Sequence, residues 1–179
     1  MCIMSNSSVN DFQKLRVSGH WDSLKRFDSY ITATNFKCGL LTTLNAAILG
    51  GITIKLSSGQ PSGTAIEFYI KITAVLISLF SVASIIMIIR TIKPRLGDNN
   101  TDTPPSLFFF NDIAKNRNAS EFHAQVINTS IEELEKDLCR QVYEVAVTTS
   151  LKMQHLADAS KLTIATTILT IIFCTIVVF

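Results

Sequence analysis

The residues best placed to do chemistry lie in one short run, from Ser106 through Leu107, Phe108, Phe109, Phe110, Asn111, Asp112 and Lys115 to Arg117. Three consecutive aromatic rings next to two cations would bind a nucleotide: rings stack on a planar base, and cations neutralise a phosphate. The same phenylalanines would equally plug a groove between helices and a membrane. The residues alone leave both readings open, with more weight on packing. Asp112 and Glu121 resemble an acid pair, but a helix cap or a solvated surface explains them as well. No nucleophile–base set accompanies them. The chain contains no glycine-rich phosphate loop, no H-E-x-x-H helix and no G-x-S-x-G elbow. His20, His123 and His155 are scattered, and Cys2, Cys38, Cys139 and Cys174 form no C-x-x-C. Neither catalysis, a metal site, a cofactor nor a disulfide framework is predicted.

The elements that must position this run are apolar. Of 179 residues 47% are hydrophobic and 17% charged, against about 25% charged in an ordinary soluble domain. The net charge of +2 implies no polybasic surface for a nucleic-acid polymer. A bilayer-crossing helix needs roughly 20 mostly apolar residues, and three runs qualify: Phe36 to Leu56, Ile66 to Arg90, and Leu162 to Phe179. The turn formers of Ser57 to Gly63 join the first two as a tight antiparallel hairpin across an outer loop at 57–65. Lys14, Arg16, Lys25 and Arg26 precede the first span, and Lys93, Arg95, Lys115 and Arg117 follow the second. Only Lys55 borders the loop. The positive-inside rule then places 1–35 and 91–161 in the cytoplasm, with the N-terminus inside and the C-terminus outside. The predicted fold is an all-α membrane protein: an N-terminal hairpin of two spans, a helical cytoplasmic region at 91–161, and a third span.

Within the first span Gly39, Thr43, Ala46, Gly50 and Thr53 recur at steps of three and four, a small-residue stripe suited to close helix contact. Asn45 shares that span, and an intramembrane amide usually faces protein or water. Helix packing is one reading of Gly39, Asn45, Ala46 and Gly50; a pore lined by several assembled chains is the other. In the cytoplasmic region, Gly97 to Ser106 reads as a loop and Ser120-Glu121 as a helix start. Ser130 with Glu133 forms a capping box. Ile131, Leu134, Leu138, Val142 and Val145 then trace one apolar stripe, with Glu132, Glu133, Glu135, Lys136, Asp137 and Arg140 on the other faces. No Gly or Pro follows Pro105, so one helix is expected to run from Ser130 towards the last span, coupling the soluble part to the membrane.

The order of these motifs resembles the transmembrane Pycsar effectors, a bacterial anti-phage family. The run Thr34 to Gly50 is similar to that family's first span, with Lys37, Gly39, Leu44 and Asn45 matching. Arg90 to Leu96 resembles its Pro-Arg exit from the second span, and Ser106 to Ala114 its Leu-aromatic-aromatic-x-Asp-Ile motif. The runs "EFHAQV" and "DLCRQVYEVAVTTSLKMQHL" resemble its later helices. Asn35 and Asn111 depart from the pattern, standing where an acid and a glycine are common. The resemblance implies an inner-membrane effector triggered by cyclic CMP or cyclic UMP from a partner cyclase during infection. Activation would impair membrane integrity and arrest growth or kill the cell in abortive infection. The lipid bilayer and further copies of the chain are its expected partners.

A cyclic nucleotide needs a cation for its phosphodiester and an aromatic or hydrogen-bonding surface for its base. Arg140 and Tyr143, three apart on one helical face, are the first candidates and Arg117 the next. Pairing of Arg140 with Glu133, Asp137 or Glu144 on its own helix is the competing assignment. The rival function is a membrane scaffold that recruits a soluble enzyme without ligand or pore. The predicted topology is checked by labelling single cysteines in intact cells: Ser58→Cys is expected to react with an impermeant maleimide and Asp112→Cys to be protected. The reverse pattern would invert the assignment.

Overall fold

The computed structural model of the protein describes residues 6–58, 65–93 and 104–178. Most of the expected turn at Ser57–Gly63, most of the expected loop at Gly97–Ser106, Arg95 and Phe179 lie outside the described residues. Five helices follow in order: α1 (Asn6–Ser57), α2 (Ala65–Ile92), α3 (Phe110–Ile113), α4 (Ala119–Asn128) and α5 (Ile131–Val178). Pro104 and Pro105, the prolines among the described residues, precede α3 and lie outside any helix, where a missing N–H and a fixed φ do no harm. Three helices are long and apolar enough to cross a membrane, and the described residues contain no strand. The fold is that of an all-α membrane protein. At 52 and 48 residues, α1 and α5 exceed what a single crossing requires.

The chain forms two compact units. One comprises Met1–Tyr30 with Pro94–Thr149, the other Ile31–Lys93 with Ser150–Phe179. The second unit takes up residues of α5 well before Leu162, the expected start of the third span. The reason is visible in its packing: Lys152 donates to the Thr91 carbonyl near the end of α2, and Leu156 and Ala159 pack with Cys38 and Ile88.

In the second unit α1, α2 and α5 form a bundle whose register follows from two apolar clusters. Cys38, Ile88 and Ala159 meet at one level, and Ile52, Ile70, Ala74, Ile77 and Phe173 at another. Thus α2 runs antiparallel to α1 while α5 runs parallel to it. Large apolar side chains point outward, among them Phe36, Leu40, Val75, Leu79, Ile89, Ile164 and Ile171, while Asn45, Ser81, Ser84, Thr163 and Thr166 are buried. That arrangement is inverted relative to a protein folding in water and suits a hydrocarbon solvent. Other hydroxyls in the spans are satisfied along their own helix: Thr42, Thr53, Ser78, Thr167 and Thr170 each donate to the carbonyl four residues back.

In the first unit the capping box at the start of α5 is present. The Ser130 N–H and hydroxyl donate to Glu133 Oε2 at 2.9 and 2.7 Å, and Glu133 N–H returns to Ser130 Oγ at 3.3 Å. The start of α4 differs from the expected Ser120. Asn118 is the cap, accepting from Glu121 N–H at 2.8 Å while Glu121 accepts from Arg117 N–H at 2.7 Å. Asn is as good a cap as Ser, and Asn118 has an acid three residues on. One helix does extend from Ile131 to Val178. Of the apolar stripe expected near its start, Leu138 is fully buried and Leu134, Val142 and Val145 are half-buried, whereas Ile131 is 67% exposed. Leu138→Ala is therefore expected to destabilise the fold by about 2–4 kcal/mol and Ile131→Ala by under about 0.5 kcal/mol, measured by denaturant melts of the detergent-solubilised protein.

Candidate functional site

The run Ser106–Arg117 is built around a buried serine. The Ser106 hydroxyl accepts from the N–H groups of Phe108 and Phe109 at 3.1 Å each and from Gln141 Nε2 at 3.0 Å, and donates to Asp137 Oδ2 at 2.9 Å. The same carboxylate oxygen accepts from Leu107 N–H at 2.8 Å. Its other oxygen accepts from Arg140 at 2.7 Å, and the Arg140 guanidinium also donates twice to the Pro104 carbonyl at 3.1 Å. Asp112 closes the turn by accepting from Ser106 N–H at 3.0 Å and from Lys115 Nζ at 2.7 Å. A segment with little regular structure is thereby tied to α5 through polar bonds. Among the described residues of this unit, α1 is fixed to α5 by Arg16 and Gln13 on Glu135, with Arg16 Nε at 2.9 Å.

Asp137 and Glu135 lie off the apolar stripe, as expected, yet they are not solvated. Their side chains are 12% and 19% exposed, because the partners that bury them, Ser106, Leu107 and Arg16, are distant in sequence. The aromatic triplet divides. Phe108 meets Trp21 edge-on at 5.3 Å, Phe109 precedes α3 and lies 4.9 Å from Phe110, and Phe110 is exposed. Asp112 and Glu121 act separately, one closing a turn and the other a cap. The Ser106 hydroxyl touches a carboxylate and is buried beneath its own N–H donors. The knot holds this segment to α5.

Arg140 pairs with Asp137, one of the acids its own helix offered. Among the described residues it uses three N–H groups there, of the five a guanidinium has. Tyr143 is 67% exposed one turn on, and Arg117 is exposed. No hydrogen bond or ion pair among the described residues joins Arg117 to either. In the spans the structure separates Asn45 from its stripe. Gly39, Ala46 and Gly50 are exposed together, and an added Cβ at either glycine would meet nothing within 4 Å. Asn45 is fully buried, its Nδ2 donating to Leu41 O at 2.8 Å, Thr163 Oγ1 at 3.0 Å and Ser84 Oγ at 3.4 Å.

The family model of the Pycsar effector protein domain matches residues 20–179. The chain belongs to that family. Neither curated proteins nor solved structures gave a match. Family and fold together make it a bacterial membrane protein, an anti-phage membrane effector that works with a cyclase system.

Two carboxylates of the first unit titrate low. Burial opposes ionisation of Asp112, but the bonds from Lys115 and Ser106 N–H, with the charges of Lys115 and Arg140, outweigh it. The N–H and hydroxyl of Ser130 hold down Glu133. A folded pKa below the unfolded one adds stability that is present above the ordinary carboxylate range and vanishes as pH falls through the depressed value. The first unit is thus expected to loosen below about pH 4, read as loss of hydrogen-exchange protection around Ser106 and Ser130. Asp112→Asn and Glu133→Gln should each flatten that profile.

Proposed function

We propose that the protein is activated by a cyclic pyrimidine nucleotide, cyclic CMP or cyclic UMP, to oligomerise and impair the bacterial inner membrane, ending in growth arrest or death. The observation that carries this reading is the outward stripe of Gly39, Ala46 and Gly50, with open space at both glycines. A stripe that no neighbour among the described residues uses is suited to the backbone of another copy. The family supports a membrane effector working with a cyclase, and the nucleotide is the signal such a cyclase would supply. Arg140, Tyr143 and Arg117 remain the candidates to receive it. On this reading a phosphodiester competes with the Pro104 carbonyl for Arg140, while the base lies on Tyr143. Loosening of the Ser106–Asp137 tie then shifts the population towards an assembled form. The exposed apolar residues Phe12, Leu15 and Ile127 favour the second reading, a scaffold for a soluble partner. It predicts no response to nucleotide.

Gly50→Leu is expected to insert normally, since the protomer has room for it, yet to lose crosslinked oligomers and toxicity. Survival of both would remove the stripe from the interface. Calorimetry with cyclic CMP, cyclic UMP, cyclic AMP and cyclic GMP tests the ligand. Binding of a pyrimidine nucleotide is expected to weaken roughly ten- to a hundredfold in Arg140→Ala, about 1.5–3 kcal/mol for a charge-assisted contact. Unchanged affinity in Arg140→Ala and Tyr143→Ala would exclude that face. Absence of binding by the unmutated chain would favour the scaffold.

A further inference from the structure

The interior of the three-helix bundle is layered. A polar layer of Asn45, Ser81, Ser84, Thr163 and Thr166 lies between the two apolar clusters, Cys38–Ile88–Ala159 on one side and Ile52–Ile70–Ala74–Ile77–Phe173 on the other. Most of this layer is internally bonded. The Ser84 and Thr163 hydroxyls lie 2.8 Å apart and both reach the Ala159 carbonyl, two protons serving three contacts, and Thr166 donates to the Leu162 carbonyl. Two side-chain oxygens stand apart. Asn45 Oδ1 and Ser81 Oγ are fully buried and have no hydrogen-bond partner among the described residues. The antiparallel register that sets Cys38 beside Ile88 and Ile52 beside Ala74 puts Ser81 level with Asn45.

We propose that this layer is a binding site for a water molecule donating to Asn45 Oδ1 and bonded to Ser81 Oγ, and that it is where the bundle first wets when the membrane becomes permeable. The second clause rests on the membrane-impairment reading above; the first does not. Water matches the chemistry of the site. Asn45 Nδ2 is already spent on Leu41, Thr163 and Ser84, so its amide orientation is fixed with the oxygen unpaired. A buried water needs two to four polar partners, and two oxygens with the neighbouring hydroxyls supply them. A metal cation would require about six oxygens and a compensating charge, and the layer holds no carboxylate. The apolar clusters on either side act as dry constrictions, the kind that gate permeation by dewetting. The closed bundle is then sealed twice around one hydrated level, and parting the helices at either seal joins that level to bulk water.

The test uses the full chain in lipid vesicles. Water-edited solid-state NMR of the nucleotide-free protein is expected to transfer magnetisation from water to the Asn45 side-chain amide, with the signal lost in Ser81→Ala. No transfer in the unmutated chain overturns the site. Potassium release from the same vesicles, with cyclic CMP or cyclic UMP added, is expected to fall about tenfold in Ser81→Ala, the rate equivalent of one hydrogen-bonded water, and to be abolished in Asn45→Leu. Ser81→Ala removes a single oxygen and guards against a folding defect in Asn45→Leu. Release at the unmutated rate in both variants overturns the wetting step. A hydrated Asn45 in a chain that never releases potassium overturns the membrane-impairment reading while supporting the water site.

Discussion

The Asn45 amide is the constraint on which the membrane-spanning unit depends. Hydrocarbon offers it no hydrogen-bond partner, so an amide in a span must face protein or confined water. Here its nitrogen reaches Leu41, Ser84 and Thr163 and thus draws all three helices together. Polar bonds between membrane helices contribute modestly, on average about 0.6 kcal/mol each, so they fix rotation more than they fix stability. Once Asn45 faces inward, helical geometry leaves Gly39, Ala46 and Gly50 facing out. The surface open to another copy follows from where the amide is satisfied.

The first unit depends on a comparable device in water. Ser106 and Asp137 hold a short irregular segment onto α5 through three directed bonds, and three more fold the segment on itself. Polar ties of this kind exchange for ligand contacts more readily than buried leucines do, because the ligand brings the same kind of partner. Arg140 already holds a carboxylate and a carbonyl, the two acceptor types a nucleotide phosphate and base also present. That makes the knot suited to a switch, and it gives α5, which continues from Ile131 to Val178, a role in both units.

Much of the fold was legible in the sequence because hydropathy and punctuation are local signals. The three spans, the capping box at Ser130 and the unbroken α5 all follow from runs, caps and the positions of prolines. The cap at Asn118 was equally local, but Ser120-Glu121 competed with it. The knot was not legible. Ser106 lies 31 residues from Asp137, and nothing in the intervening chain marks them as partners. Nor was the burial of Glu135 and Asp137 legible, because helical periodicity shows only which residues share a face; what buries that face is contributed by distant chain. In the first span the helical repeat already sets Asn45 on a different face from Gly39, Ala46 and Gly50. Which of these faces turns inward depends on two other helices, through Ser84 on α2 and Thr163 on α5.

The central claim is that the polar face of the first span is turned inward and its small face is left for another copy. Electron paramagnetic resonance of single spin labels along Gly39 to Thr53, in bilayers, tests it most directly. In the nucleotide-free protein, labels at Gly39, Ala46 and Gly50 should be accessible to oxygen in the lipid, and labels at Asn45 and Ile52 protected. Cyclic CMP or cyclic UMP should then reduce oxygen access at the first three positions. Protection of Gly39, Ala46 and Gly50 with exposure of Asn45 in the nucleotide-free state, or accessibilities indifferent to nucleotide, would contradict the account.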